Sequence, residues 1–233
     1  MKKSWSILIV NYRKVTFYSN VILADANSLC QIFRKVNKVI SNIELLAKHI
    51  FPCVEYMNLY NSNLRKMKSD ICQLYNLREL SLINISGIDN AIDRMSCCKS
   101  LSKLDMSFNR ITEFSKLYDI LLNTKLQILN LSFNDIEYLK YVNETTSIIL
   151  SKSILEVLDL SNNKLTLLTI QWVRTPSLRV LNCSFNQIRN VYFSGFLLYG
   201  NASQLSTLNL ANNRDLTFEQ NIFDSLTGLT EMV

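Results

Sequence analysis

Along residues 101–165 the apolar and polar positions state one phrase three times, as LSKLDMSFNRI, LQILNLSFNDI and LEVLDLSNNKL, and LRVLNCSFNQI repeats it from Leu178. Written generally it is L-x-x-L-x-L-x-x-N-x-L. The leucines of L-x-L alternate, which puts them on one face of a short strand and their neighbours on the other. In LQILNLSFNDI this predicts that Leu129 and Leu131 point inward and that Asn130 and Ser132 point outward. Asn109, Asn134, Asn163, Asn186 and Asn213 stand where the chain bends away from its strand. A buried turn leaves backbone groups that need partners, and an amide side chain both donates and accepts. Stacked rung above rung, these five amides predict a structural ladder along one edge of the sheet.

Repeats begin at Val54, Leu77, Leu101, Leu126, Leu155, Leu178 and Leu205, and an eighth opens at Leu229, with intervals of 23, 24, 25, 29, 23, 27 and 24 residues. The first two are worn, with Ser62 and Ile85 where the later ones carry Asn, and LNLANNRDL has one extra residue after its Asn. Six residues before each next repeat stand Ile71, Met95, Ile120, Ile149, Trp172, Tyr199 and Phe223. All are bulky and apolar, which predicts a second buried row on the returning half of each coil. Phrase and period resemble the leucine-rich repeat family over most of the chain. The resemblance implies an α/β solenoid, a horseshoe with a concave parallel β-sheet and an irregular or short-helical convex side. The spacing Phe223-x-x-Leu226-x-x-Leu229-x-x-Met232 is similar to the extracellular repeat type of roughly 24 residues seen in Toll and Toll-like receptor ectodomains.

The sequence divides into an N-terminal segment, 1–53, and a repeat array, 54–233. Lys2 and Lys3 precede the apolar run Trp5 to Val10, which Asn11, Arg13 and Lys14 interrupt; a second run, Val15 to Leu23, ends at Ala24-Asp25-Ala26. Residues 1–26 read either as a poor signal peptide or as a pair of strands capping the solenoid. From Ser28 to Ile50 the apolar residues Leu29, Ile32, Phe33, Val36, Val39, Ile40, Ile43, Leu46 and Ile50 keep helical spacing, so an amphipathic capping segment is expected. The rival is a decayed repeat of Leu29, Ile32, Asn37 and Val39, starting 25 residues before Val54. At the other end the chain stops at Val233 without a polar cap. An open solenoid end exposes core, so a fragment of a longer receptor is expected, or an end that self-associates or meets a partner.

Charge changes the picture in one respect. The formal charge is +6, but residues 1–53 hold eight Lys/Arg against two acids, while residues 54–233 hold seventeen of each. A nucleic-acid-binding solenoid carries basic charge along its repeats, so no nucleic-acid partner is expected. Four glycines and two prolines argue against disorder and Gly-rich phosphate loops, and no stretch approaches the ~20 apolar residues of a membrane span. A single histidine, His49, excludes two-histidine sites. With no nucleophile elbow or Walker loop, neither an enzyme nor a cofactor or metal site is expected. Asp105 and Asp159 share a strand position two repeats apart, ~10 Å, with Asn130 between them.

Cys72 and Cys97 occupy nearly equivalent places in adjacent repeats; coils stacked ~5 Å apart permit a disulfide, and Cys30 with Cys53 is a second candidate. Cys98 and Cys183 take inward positions and are expected as buried thiols. Five Asn-x-Ser/Thr sequons occur, at Asn84, Asn130, Asn143, Asn182 and Asn201. Asn143 and Asn201 fall in the two longest intervals, whereas sugar on Asn130 or Asn182 would cover the concave strands.

The outward strand positions build the surface that solenoids use for partners. Its expected binding residues are Asp105, Asn130, Asp159 and Asn182, flanked just before the ladder by Phe108, Phe133, Asn162 and Phe185. The three phenylalanines read either as interface anchors or as a stabilising spine of rings. The expected function is non-enzymatic recognition of a protein or glycan at the cell surface or outside it. The alternative is a cytoplasmic scaffold with free thiols and unused sequons.

Overall fold

A computed structural model describes residues 5–11, 14–21, 35–38, 54–61, 72, 74–123, 125–139, 152–169, 176–192, 204–218 and 226–233, the first three segments by their backbone alone. The repeat phrase becomes one long ladder. Strands β3 (Lys35–Lys38), β4 (Tyr56–Tyr60), β5 (Glu79–Ile83), β6 (Lys103–Asp105), β7 (Ile128–Asn130) and β8 (Val157–Asp159) pair in sequence order. After β9 (Leu167–Thr169), which lies elsewhere, the ladder continues through β10 (Val180–Asn182) and, beyond β11 (Asn190–Tyr192), through β12 (Thr207–Asn209). With β13 (Thr217–Phe218) again set apart, β14 (Glu231–Met232) closes a nine-stranded sheet. Pairing throughout it is parallel, each repeat's leucine opposite the next one's: Leu80↔Leu104, Leu104↔Leu129, Leu129↔Leu158, Leu158↔Leu181 and Leu181↔Leu208.

These leucines are buried and, with Leu59, Leu82, Met106, Leu131, Leu160, Cys183 and Leu210, form the sheet side of one continuous core. Burying each such side chain contributes roughly 1.5–3 kcal/mol before entropy is counted. The opposite wall changes character along the chain. Toward the N-terminus it is helical: α1 (Ile88–Met95) buries Ile88, Ala91, Ile92 and Met95, and a 3-10 turn (Phe114–Leu117) followed by α2 (Tyr118–Asn123) buries Phe114, Leu117, Ile120 and Leu121. Toward the C-terminus, β9, β11 and β13 form a second, three-stranded parallel sheet, with Leu168 and Val191 buried. Met95 and Ile120 of the expected convex row are buried; Ile71, Ile149, Trp172, Tyr199 and Phe223 lie outside the described residues.

Near the N-terminus, β1 (Trp5–Asn11) and β2 (Lys14–Val21) pair as an antiparallel hairpin. Strand β3 corrects the expectation of a helix across residues 28–50, because residues 35–38 add a rung to the main sheet. The rival repeat register is also displaced. Val36 faces Met57 and Lys38 faces Leu59, so the alternation that meets the next rung is that of Val36 and Lys38, not one opened by Leu29 and Ile32. Helical spacing and strand alternation coincide over so short a run, and the free edge of β4 decides between them.

Candidate partner-binding face

Inside each turn the ladder amide makes the same four contacts. In Asn163, Oδ1 accepts the N–H of Ile136 at 3.0 Å, while Nδ2 donates to the carbonyls of Leu131 at 2.9 Å, Leu160 at 3.0 Å and Ser161 at 3.2 Å. Asn134 treats Ile111, Met106, Leu131 and Ser132 alike, and Asn109 does so for Ile85, Leu82, Met106 and Ser107. Asn186 and Asn213 repeat the pattern. Each amide thus satisfies its own turn and one backbone N–H and one carbonyl of the preceding coil. That is a structural occupation and leaves these side chains inside.

The outward columns are more than a solvated surface. Asp105 Oδ1 accepts the N–H of Ser107 at 2.9 Å, Asn130 that of Ser132 at 2.9 Å, Asp159 that of Ser161 at 2.8 Å, Asn182 that of Ser184 at 3.1 Å and Asn209 that of Ala211 at 3.0 Å. These are turns in which a short polar side chain mimics a backbone acceptor. They bend the chain out of the strand, and the expected outward position of Ser132 is corrected: Ser107, Ser132, Ser161 and Ser184 are buried. Asp and Asn serve this turn interchangeably, because it needs only one oxygen.

Next in each turn comes a residue with positive φ, namely Asn61, Asn84, Phe108, Phe133, Asn162, Phe185 and Asn212, at 48–57°. Asn tolerates this left-handed region; an aromatic side chain does so at a cost of roughly 1–2 kcal/mol. Phe108, Phe133 and Phe185 are 51%, 44% and 55% exposed. Phe108 and Phe133 stack in parallel with centroids 4.2 Å apart, whereas Asn162 separates Phe185 from them. Of the two readings of these rings, the first two phenylalanines act as a short spine and an exposed aromatic surface at once.

Sequence reasoning passed over one column. Two residues before the Asx column, the register aligns Tyr56, Glu79, Lys103, Ile128, Val157, Val180, Thr207 and Glu231. Ile128, Val157 and Val180 therefore form an apolar strip over three adjacent rungs, with Ile128 exposed and the two valines half-buried. The signal was present as three consecutive β-branched residues at one phrase position, in LQILNL, LEVLDL and LRVLNC.

Cys72 and Cys97 are joined in a disulfide, with Cα atoms 5.3 Å apart. Cys98 and Cys183 are buried thiols outside any disulfide. Burial pushes the Cys98 thiol up to about 11, and burial followed by the nearby Asp159 charge raises Cys183 as well. Thiols so far from ionisation are poor nucleophiles. Asn84 is exposed and donates from Nδ2 to Asn61 Oδ1 at 2.7 Å. Asn130 and Asn182 sit partly buried in the Asx column. Asn143, Asn201, Cys30 and Cys53 lie outside the described residues. Among the described residues no group of His, Cys, Asp and Glu could hold a metal ion, and no helix is long and apolar enough to cross a membrane.

Residues 97–113 and 122–138 match the Leucine Rich repeat family, and residues 155–175 match a second Leucine Rich Repeat family. These segments are leucine-rich repeats, and the fold of the chain is the leucine-rich repeat solenoid. Among solved structures it is similar to Toll of the Toll–Spatzle complex from Drosophila, at 20% identity and TM-score 0.58 over 89% of this chain and 30% of that one. It is also similar to an internalin from Listeria monocytogenes, at 18% identity and TM-score 0.54 over 89% of this chain and 63% of that one. The structure of a TLR13–ssRNA13 complex is matched at 23% identity and TM-score 0.54, over 88% of this chain and 33% of that one. A curated relative, Mediator of RNA polymerase II transcription subunit 14 from Scheffersomyces stipitis, is 28% identical over 127 residues, which is 52% of this chain and 11% of that protein. The chain thus spans about a tenth of the curated relative it matches.

Proposed function

We propose that this chain is a non-enzymatic recognition module that binds a protein partner through the concave face of its solenoid, at the cell surface or outside it. The observation that carries this reading is the outward face of the sheet. Each rung from Leu101 on spends its apolar strand residues on the core and its ladder amide on the turn. Left over are aligned columns of Ile/Val, Asp/Asn and Phe on a rigid surface, and exposed aromatics and partly desolvated apolar strips are what anchor interfaces. Asp105, Asn130, Asp159 and Asn182 supply the polar contacts of this face, and Phe108, Phe133, Asn162 and Phe185 its edge. The Cys72–Cys97 disulfide favours an oxidising compartment, and the Toll likeness points the same way.

Two measurements test the reading. A photo-crosslinking residue at Val157 should give discrete adducts in the expressing cell, and one at Leu122, exposed on convex helix α2, should give none; adducts from Leu122 alone overturn the concave assignment. The intact mass of the chain from a eukaryotic cell, before and after glycosidase and reductant, tests the compartment. Sugar on Asn143 or Asn201 with the disulfide formed is expected, and an unglycosylated chain with six alkylatable thiols supports the cytoplasmic scaffold instead.

A further inference from the structure

The charge on the concave face runs against the charge on the molecule. From Tyr56 to Glu231 the two outward columns hold one base, Lys103, and four acids, Glu79, Asp105, Asp159 and Glu231; with Lys35 of β3, in register with Tyr56, the balance is −2 on a chain of +6. The positions just before the strands add Glu55, Glu156, Arg78 and Arg179 and leave that balance unchanged; Arg78 is paired with Glu55 at 3.7 Å. Asp105 and Asp159 each give one oxygen to their own turn, and among the described residues neither is in an ion pair with Lys or Arg. Beside them runs the strip of Ile128, Val157 and Val180, in register with the carboxylate column two residues away.

We propose that this face docks a basic, apolar segment of a partner polypeptide, with Arg or Lys side chains on Asp105 and Asp159 and apolar side chains over Ile128, Val157 and Val180. The inference rests on the concave-face reading and names the chemistry of its partner. The carboxylates lie two rungs apart, ~10 Å, which an extended chain spans in about three residues at ~3.3 Å each. A cationic segment is attracted by this face while the chain as a whole carries +6, so charge orients the encounter as well as holding it. The same balance disfavours RNA. The stacked rings of Phe108 and Phe133 offer a base a platform, but phosphate needs a basic groove, and the apolar strip lies on the acidic face.

Three labelled probes titrated against the full chain by fluorescence anisotropy test this: a peptide of alternating leucine and arginine, its glutamate counterpart, and a single-stranded oligoribonucleotide. The variant Asp105→Asn/Asp159→Asn removes both charges and retains both turns, because Asn130, Asn182 and Asn209 already make that turn with an amide. The basic peptide should bind, and the double variant should weaken it about tenfold. The exposed remote pair Glu113→Gln/Glu137→Gln, an equal charge change, should leave it unaltered. Equal weakening by the remote pair, no binding of the basic peptide, or tighter binding of the acidic peptide or the RNA each overturns the proposal. Val157→Gln separates the two levels. If an acidic or RNA ligand binds and is lost in this variant, the concave reading stands and the basic partner falls. If the basic peptide binds and neither Val157→Gln nor the double Asp variant weakens it, both fall.

Discussion

In the rungs from Leu101 to Asn213 an amide closes each turn, whereas in those from Val54 to Ile85 the strands and a disulfide take its place. Where the ladder Asn is present, β6, β7, β8, β10 and β12 are three residues long. The Asx residue takes the N–H two positions on, and the ladder amide takes up the carbonyls. Where Ile85 stands at the ladder position, β4 and β5 run for five residues, and pairing extends to Leu59↔Leu82 and Tyr60↔Ile83. Asn58 then makes no Asx turn, and its Oδ1 is buried with no partner among the described residues. The Cys72–Cys97 disulfide ties the coils that the missing amide does not. An edge can therefore be secured by a side-chain ladder or by longer strands with a covalent staple. Only the first places the Asx and Phe columns in fixed turns.

The largest expected effect comes from removing a ladder amide while keeping its volume. Asn163→Leu should cost about 4 kcal/mol in urea unfolding, because Ile136 N–H loses its acceptor and three carbonyls each lose a donor. On the other side of the comparison, Cys97→Ser opens a 25-residue loop and should cost about 3 kcal/mol by the same measurement. If its cost were near zero, the staple would not replace the ladder.

Alkaline pH acts on both regions. Burial raises Cys98 to about 11 and Tyr118 to about 12. The unfolded chain therefore ionises first, from about 9 for the thiol and about 10 for the phenol. Stability contributed by keeping these groups neutral is complete below pH 9 and is lost as pH rises from about 9 to 12; chemical denaturation across that range should show a falling midpoint. A smaller effect is expected at the worn rung, where Ile85→Val should cost about 1 kcal/mol, an ordinary loss of one methylene. The smallest has the opposite sign. Phe185→Asn should raise stability by up to about 1 kcal/mol, since Asn accepts the positive φ that Phe185 endures without a stacked neighbour. Phe133→Asn should gain less, because it forfeits the ring of Phe108.

How much of this was legible depends on the range of the interaction. The leucines and ladder amides recur at fixed spacing, so alternation and turn chemistry suffice to place Leu129 in the core and Asn134 in the turn. Asp105 and Asn130 read as surface residues, because nothing in their type distinguishes a solvated side chain from one that caps a backbone N–H two residues on. Positive φ at Phe108, Phe133 and Phe185 was hidden, since it is imposed by the ladder against the residue's own preference. The Ile128, Val157 and Val180 strip stood in the phrase as unremarked filler, and acquired meaning only when register aligned it beside Asp159. Strand β3 turned on an edge that no local pattern reveals.

The ladder claim meets its most direct test in amide hydrogen exchange, comparing the N–H groups of Ile111 and Ile136, each held by the Asn of the following rung. In the native chain both should exchange only by global unfolding. In Asn163→Leu, Ile136 should exchange by local opening well before Ile111, whose partner Asn134 is intact. If Ile136 stays as slow as Ile111 in that variant, the amide does not hold the turn, and the ladder is not what secures these rungs.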